Sequence, residues 1–248
     1  MDLGLTGRTA LITGASAGIG AEIARVLAEE GCEVHLAARS KDRLEELAEQ
    51  LRAEYGVRAH AHAVDLRSAE ELAGLSEAVG APDILVNNAG DVPAGTLDVV
   101  DEDLWRHAWE LKVFGYINLT RLTYARMRER GHGVIVNVIG QAGERPTADY
   151  IAGGTGNAAL MAFTRALGGR SWRDGIRVVG INPGPVATAR ITAMIEASDR
   201  FREMAGDMPF GRPAHPREIA DMAAFLASDR SAYTTGTVVT IDGGVSVG

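Results

Sequence analysis

The sequence predicts a doubly wound, parallel α/β sheet in a single domain, on three observations. Short apolar runs rich in strand formers alternate with helix-length stretches along the chain, and a glycine turn links the first run to the first helix. The third is size: 248 residues with 46% hydrophobic content can bury a substantial core, and α/β chains of this length are often one domain. No repeat, linker or low-complexity tract divides it.

Taken in order, Thr9 to Thr13 reads as a strand that breaks into Gly14-Ala15-Ser16-Ala17-Gly18-Ile19-Gly20. The apolar spacing Ile19, Ile23, Val26, Leu27 then predicts a helix stopping at Gly31. Glu33 to Ala37 is a second strand, followed by a helix over Lys41 to Tyr55 capped by Ser40. Ala59 to Val64 is a third strand, and Ser68 with Glu71 forms a capping box for the next helix. Ile84 to Val86 is a strand, and Glu102 to Arg130 is one long helix ended by Gly131. Gly133 to Ile139, a helix ending near Gly168-Gly169, Ile176 to Ile181, a last helix and Val238 to Ile241 complete the alternation. In such a sheet, ligands sit at the carboxyl ends of the strands.

Composition narrows the partners. A net charge of −8 and a pI near 5.3, with no basic patch to neutralise phosphates, argue against nucleic acid as the main partner. Neither a charged and apolar leader nor an apolar run of bilayer length is seen, so no membrane association and a cytoplasmic location are expected. The single cysteine, Cys32, reads as a buried, inert thiol.

The glycine turn is the first functional signal. Its GxxxGxG spacing lets the backbone turn tightly and approach a pyrophosphate, whose charge is favoured by the free amides and dipole of the following helix. Further along, Asp65 ends the run His60 to Leu66, Asn87-Asn88-Ala89-Gly90 follows one strand, and Pro183-Gly184-Pro185-Val186-Ala187-Thr188 follows another. With the terminal Thr235 to Gly244 stretch, these motifs resemble the short-chain dehydrogenase/reductase family over essentially the whole chain, in its order and spacing. The resemblance implies a Rossmann-like domain and a dinucleotide held by Gly14, Ser16, Gly18, Ile19, Gly20, Asp65, Leu66, Asn87, Ala89, Gly90, Pro183, Gly184, Val186 and Thr188. It also implies a homotetramer or dimer acting on a small carbonyl or alcohol substrate.

Cofactor choice is read at the end of the second strand. Ala37-Ala38-Arg39-Ser40 offers no carboxylate to accept from ribose hydroxyls, and the Arg39 guanidinium suits a 2′-phosphate, so NADP(H) is expected over NAD(H).

The family's catalytic slots are changed. Counted without gaps, Gly140 stands in the Ser slot, Gly153 in the Tyr slot, Asn157 in the Lys slot and Lys112 in the Asn slot of the long helix. Tyr150 lies three residues before Gly153, about 4.5 Å of helical rise and roughly on the same face if the helix reaches back that far. No lysine occurs between Gly131 and Trp172, and Lys41 and Lys112 are the only lysines in the chain. Asn157 and Lys112 therefore look like an exchanged pair, and Lys112, whose pKa falls readily on burial, is the candidate charge and proton source. The expected catalytic set is Lys112, Tyr150 and Asn157, and the alternative is a nucleotide-binding protein that has lost redox chemistry and serves as a sensor, a scaffold or a non-redox enzyme.

Three weaker signals remain. Residues 189–212 carry scattered Ile, Met and Phe where the family has a substrate lid, which suggests a fairly apolar small molecule. Trp105 and Trp109, one turn apart, read as core or subunit packing. His60 and His62 share a strand face, but with no third ligand at suitable spacing no metal site is expected, and His35, His107, His132 and His215 show no partner pattern.

Overall fold

The computed structural model describes residues 1–189, 191–192 and 208–247. Among these, strands β1 (Thr9–Thr13), β2 (Glu33–Ala38), β3 (Ala59–Ala63), β4 (Ile84–Asn87), β5 (Gly133–Val138), β6 (Ile176–Pro183) and β7 (Val238–Ile241) form one parallel sheet in the order 3-2-1-4-5-6-7. The helices are α1 (Gly18–Glu29), α2 (Lys41–Tyr55), α3 (Ala69–Val79), α4 (Glu102–Trp109), α5 (Gly115–Arg130), α6 (Ile151–Ser171) and α7 (Pro216–Ala227). The expected architecture is found. Winding runs outward from β1 through β2 to β3, then restarts at β4 on the other side of β1, which opens a crevice at the carboxyl ends of β1 and β4.

Strand alternation divides the core into two layers. Ile12, Val34 and Leu36 face α1, α2 and α7 through Ile23, Leu27, Leu44, Leu51 and Ile219. Leu11, Leu85, Ile135 and Val178 face the other way, onto Leu72 and Leu75 of α3 and Leu119 and Met127 of α5. Between β4 and β5 runs a buried polar ladder: Asn87 Nδ2 donates to Thr120 Oγ1 (3.0 Å) and Asn137 Oδ1 (2.9 Å), and Asn137 Nδ2 donates to Thr164 Oγ1 (2.9 Å). It ties α5, both strands and α6 together.

Several local expectations change. The stretch Glu102 to Arg130 is not one α-helix, because Glu110–Phe114 winds as a π turn between α4 and α5. The Gly115 amide there reaches back five residues to the Glu110 carbonyl. Ser68 caps α3 by accepting from the Glu71 amide, but the Glu71 carboxylate accepts from the Asp65 amide (2.7 Å) and not from Ser68, so the box is half formed. Ser40 makes no side-chain cap bond, α1 ends at Glu29 ahead of Gly31, and α6 runs past Gly168-Gly169 to Ser171. Gly168 is retained there because Gly236 packs where its side chain would be. Cys32 is buried, donates to the Leu5 carbonyl (3.4 Å), and burial pushes its thiol up to about 12, as an inert thiol requires.

The histidine reading is corrected most. His35, which shows no partner in the sequence, pairs directly across from His60 when β2 and β3 align, and its Nδ1 lies 2.9 Å from Nε2 of His62. Glu33 joins them from the start of β2. Burial and the two neighbouring imidazoles lower His35 to about 4, and burial also lowers His62, so neither is an imidazolium near neutrality. Periodicity within one strand cannot reveal a cluster built across two. His107 also has a partner, the Arg67 guanidinium, and His132 lies 3.6 Å from Asp83.

Of the lid segment, residues 190 and 193–207 lie outside those described. Met208 to Arg212 form a turn over Pro185, Ile241 and Gly243, where Phe210 holds a left-handed φ of 58° and is exposed. No helix among the described residues is long and apolar enough to cross a membrane.

Candidate active site

A cleft of about 520 Å³ opens at the carboxyl ends of the central strands. Its floor is the glycine turn between β1 and α1. Gly14 and Gly18 have φ of 65° and 59°, and close packing on both sides explains their lack of side chains. A β-carbon at Gly14 would come within 2.9 Å of the Ala89 Cα, and one at Gly18 within 3.2 Å of Thr188 Cγ2. The three motifs that lie far apart in sequence therefore meet here. The N-cap of α1, Ala17, makes no side-chain cap bond, so among the described residues the first amides of α1 lack a capping side chain at the edge of the cleft, the arrangement that suits an anion.

Most of the predicted cofactor residues line this cleft: Gly14, Ser16, Gly18, Ile19, Arg39, Leu66, Ala89, Gly90, Pro183, Gly184 and Thr188. Four do not. Asn87 is buried in the polar ladder, and its neighbour Asn88 lines the cleft in its place. Asp65 is held by Arg67, which lowers its pKa chiefly through their hydrogen bonds. Val186 is buried and bridges to Ala214. Gly20 is a packing residue, since a β-carbon there would overlap the Gly14 carbonyl. Asn88 was missed by sequence reasoning, though adjacent strand residues point to opposite sides and only one of the Asn pair can face a given layer. Thr13 was missed too: its Oγ1 accepts from the amides of Asn88 (2.9 Å) and Ala89 (3.2 Å), clamping the end of β1 to the end of β4.

At the other end of the cleft stand the candidate chemical groups. Lys112 lies in the π turn, runs past Gly90, whose β-carbon position is 3.1 Å from Lys112 Cδ, and donates from Nζ to the Ile139 carbonyl (2.6 Å). Burial lowers its pKa to about 8. Tyr150 is the N-cap of α6, one turn ahead of Gly153, and its ring fills the space a side chain at Gly153 would need. Tyr150 also packs beside Val92, Val100, Ala152 and Trp105. Asn157 is buried on α6 with no hydrogen-bond partner for Oδ1 among the described residues, and its Nδ2 occupies the position 2.8 Å from a β-carbon at Gly140. Gly140, with φ of 135°, is a position where only glycine is comfortable. Lys112 and Gly140 line the cleft directly; Asn157 packs against Gly140, and Tyr150 is half-buried at the start of α6. The turn after β5 is fixed by Glu144, whose Oε1 accepts from Asn182 Nδ2 (3.0 Å) and Thr240 Oγ1 (2.8 Å).

Comparison with known proteins agrees with this geometry. Residues 14–246 match the family model described as enoyl-(acyl carrier protein) reductase. The chain is 39% identical to the oxidoreductase UcpA of Salmonella typhimurium over 97% of this chain and 95% of that protein. Among solved structures, L-sorbose reductase from Gluconobacter frateurii complexed with NADPH and L-sorbose superposes with a TM-score of 0.92 at 34% identity, covering 100% of both chains. An actinorhodin polyketide ketoreductase with NADPH gives 0.90 at 33% identity over 98% of each. A parallel sheet wound outward from β1, a glycine cradle closed by Ala89 and Thr188, and likeness to these oxidoreductases along nearly the full length establish that the chain belongs to the short-chain dehydrogenase/reductase family.

Proposed function

We propose that this protein is an NADP(H)-dependent oxidoreductase that interconverts a carbonyl and an alcohol on a small, fairly apolar molecule, with a rebuilt proton relay. The observation that carries the reading is Lys112: an amine whose pKa is lowered to about 8 stands in the same cleft as the glycine cradle and Arg39. The cradle fits a dinucleotide, because its glycines admit a close backbone approach and the first amides of α1 await an anion. Arg39 lines the cleft beside Ser40 just past the end of β2, where its guanidinium suits the extra phosphate of NADPH, the cofactor in both structural relatives. The nicotinamide supplies the hydride.

The remaining work falls to the chain. Reduction of a carbonyl consumes one hydride and one proton, and the proton has to reach the developing alkoxide oxygen. In this reading Lys112 holds a positive charge beside that oxygen and feeds the proton, Tyr150 stands as the phenolic donor, and the unpartnered Oδ1 of buried Asn157 accepts from a ribose hydroxyl. The groove formed by Leu97 together with Trp105 and Trp109 of α4 and Phe114 of the π turn is the face we assign to a second subunit.

Nicotinamide absorbance during incubation with NADPH and a panel of aldehydes and ketones tests the assignment, alongside cofactor binding by fluorescence. Turnover that falls at least tenfold in Lys112→Met, with binding retained, is expected. A second reading, a nucleotide-binding sensor or scaffold, draws on the packing of the Tyr150 ring among apolar side chains. Tight NADPH binding without turnover across the panel would select it.

A further inference from the structure

The cluster of Glu33, His35, His60 and His62 plays no part in the cleft. Those residues lie on one face of β2 and β3, the face shared with Ala37 and Val64, at the edge of the sheet away from the glycine turn. The paired register sets His35 directly opposite His60, with ring centroids 4.6 Å apart and planes 20° from parallel. Both rings present Nε2 to the same oxygen, Glu33 Oε1, at 3.5 Å from His35 and 3.0 Å from His60. All three ligand atoms lie within 4.8 Å of one another.

We propose that Glu33 Oε1, His35 Nε2 and His60 Nε2 form a binding site for a divalent transition-metal ion of the Zn²⁺ class, with His62 as the group that orients His35. Zinc bonds of about 2.0–2.2 Å to nitrogen and oxygen place neighbouring ligand atoms of a tetrahedron about 3.4 Å apart, close to the two separations found here. Two imidazoles and one carboxylate are the donor set that Zn²⁺ and its neighbours take, whereas magnesium and calcium prefer an all-oxygen shell.

The arrangement behind the ligands supports the same assignment. A metal-bound imidazole ordinarily donates its other ring N–H to a fixed acceptor, and His35 Nδ1 has one in His62 Nε2 at 2.9 Å. In that tautomer the lone pair of His35 Nε2 faces the Glu33 carboxylate, and a cation between them resolves the clash of two electron-rich atoms. The second carboxylate oxygen is taken by Arg58, whose side chain is mostly exposed, so Oε1 remains available to an ion. The His60 side chain is 45% exposed, which gives an entry path and leaves the fourth position to water. An ion here would clasp β2 to the edge strand β3.

The test uses full-length protein without a histidine tag, stripped with a chelator and titrated with Co²⁺ and then Zn²⁺. One Co²⁺ per chain with the visible absorption of a tetrahedral site, displaced by Zn²⁺, is expected. His60→Ala and Glu33→Gln should each weaken Zn²⁺ binding at least ~10-fold, and His62→Phe by about 10–100-fold. His132→Ala should leave it unchanged, and thermal melts of the stripped variants verify that each is folded. Absence of stoichiometric binding, or binding equally tight in His60→Ala and Glu33→Gln, would overturn the proposal. Since the readout is ion affinity, the result is independent of whether the cleft performs redox chemistry.

Discussion

The ring of Tyr150 occupies the volume that Gly153 leaves vacant one turn further along α6. A side chain has thus been supplied to that place from position 150, and the absence of a β-carbon at 153 is what admits it. Tyr150→Phe keeps the ring and removes only the hydroxyl, so it is expected to lower kcat roughly 100-fold, within the usual worth of a positioned acid, with KM for NADPH unchanged. Gly153→Ala should push the ring aside, reducing kcat similarly and costing about 1–3 kcal/mol of stability through overpacking. Steady-state kinetics and urea melts on both variants separate the two effects.

In the proposed relay Lys112 sets the pH dependence. As a proton source it has to be an ammonium, so carbonyl reduction should fall as pH rises through about 8, and Lys112→Met should lose that alkaline limb along with most of its rate. Stability moves the other way. A lysine with a folded pKa below its unfolded value near 10.5 disfavours folding while the ammonium persists, and the penalty is relieved as pH climbs from about 8 toward 10.5. The stability difference between wild type and Lys112→Met is therefore expected to shift in favour of wild type across that window in pH-resolved urea melts.

In the proposed reading Arg39 decides between the two nicotinamide cofactors. Its loss removes a charge-assisted bond to phosphate worth about 1.5–3 kcal/mol, so Arg39→Ala should weaken NADPH binding roughly 10–150-fold while NADH affinity stays within about twofold. Fluorescence titration with both cofactors reads the change. An unaltered preference would remove the basis for assigning NADPH from this position.

The polar ladder between β4 and β5 predicts a purely structural defect. Asn137→Leu leaves Asn87 Nδ2 with one acceptor fewer and Thr164 Oγ1 without its donor, at about 1–3 kcal/mol for each buried group left unsatisfied. The urea midpoint should drop, with the ratio of NADPH to NADH affinity unchanged.

Much of the fold was legible because its signals are local. Apolar runs and glycine turns located every strand to within two residues, and the alternation of strands and helices predicted the parallel sheet. The cradle residues were legible as motifs, but motif membership does not distinguish Asn88, which faces the cleft, from Asn87, which braces the sheet. What stayed hidden depends on juxtaposition: the pairing of His35 with His60 follows from strand register, and the Thr13 clamp from the approach of β1 to β4. The π turn was also invisible, since Glu102 to Arg130 carries no proline and nothing in its periodicity marks a single wide turn.

That wide turn makes the placement of the amine a property of backbone winding. Glu110–Phe114 holds one more residue than regular α-winding would, with Gly115 completing the long-reach bond. Deleting one residue from this stretch would rewind α4 and α5 into a continuous rod and swing position 112 by about a quarter of a revolution. A single-codon deletion, with no cleft residue substituted, is thus enough to turn the Lys112 amine out of the pocket.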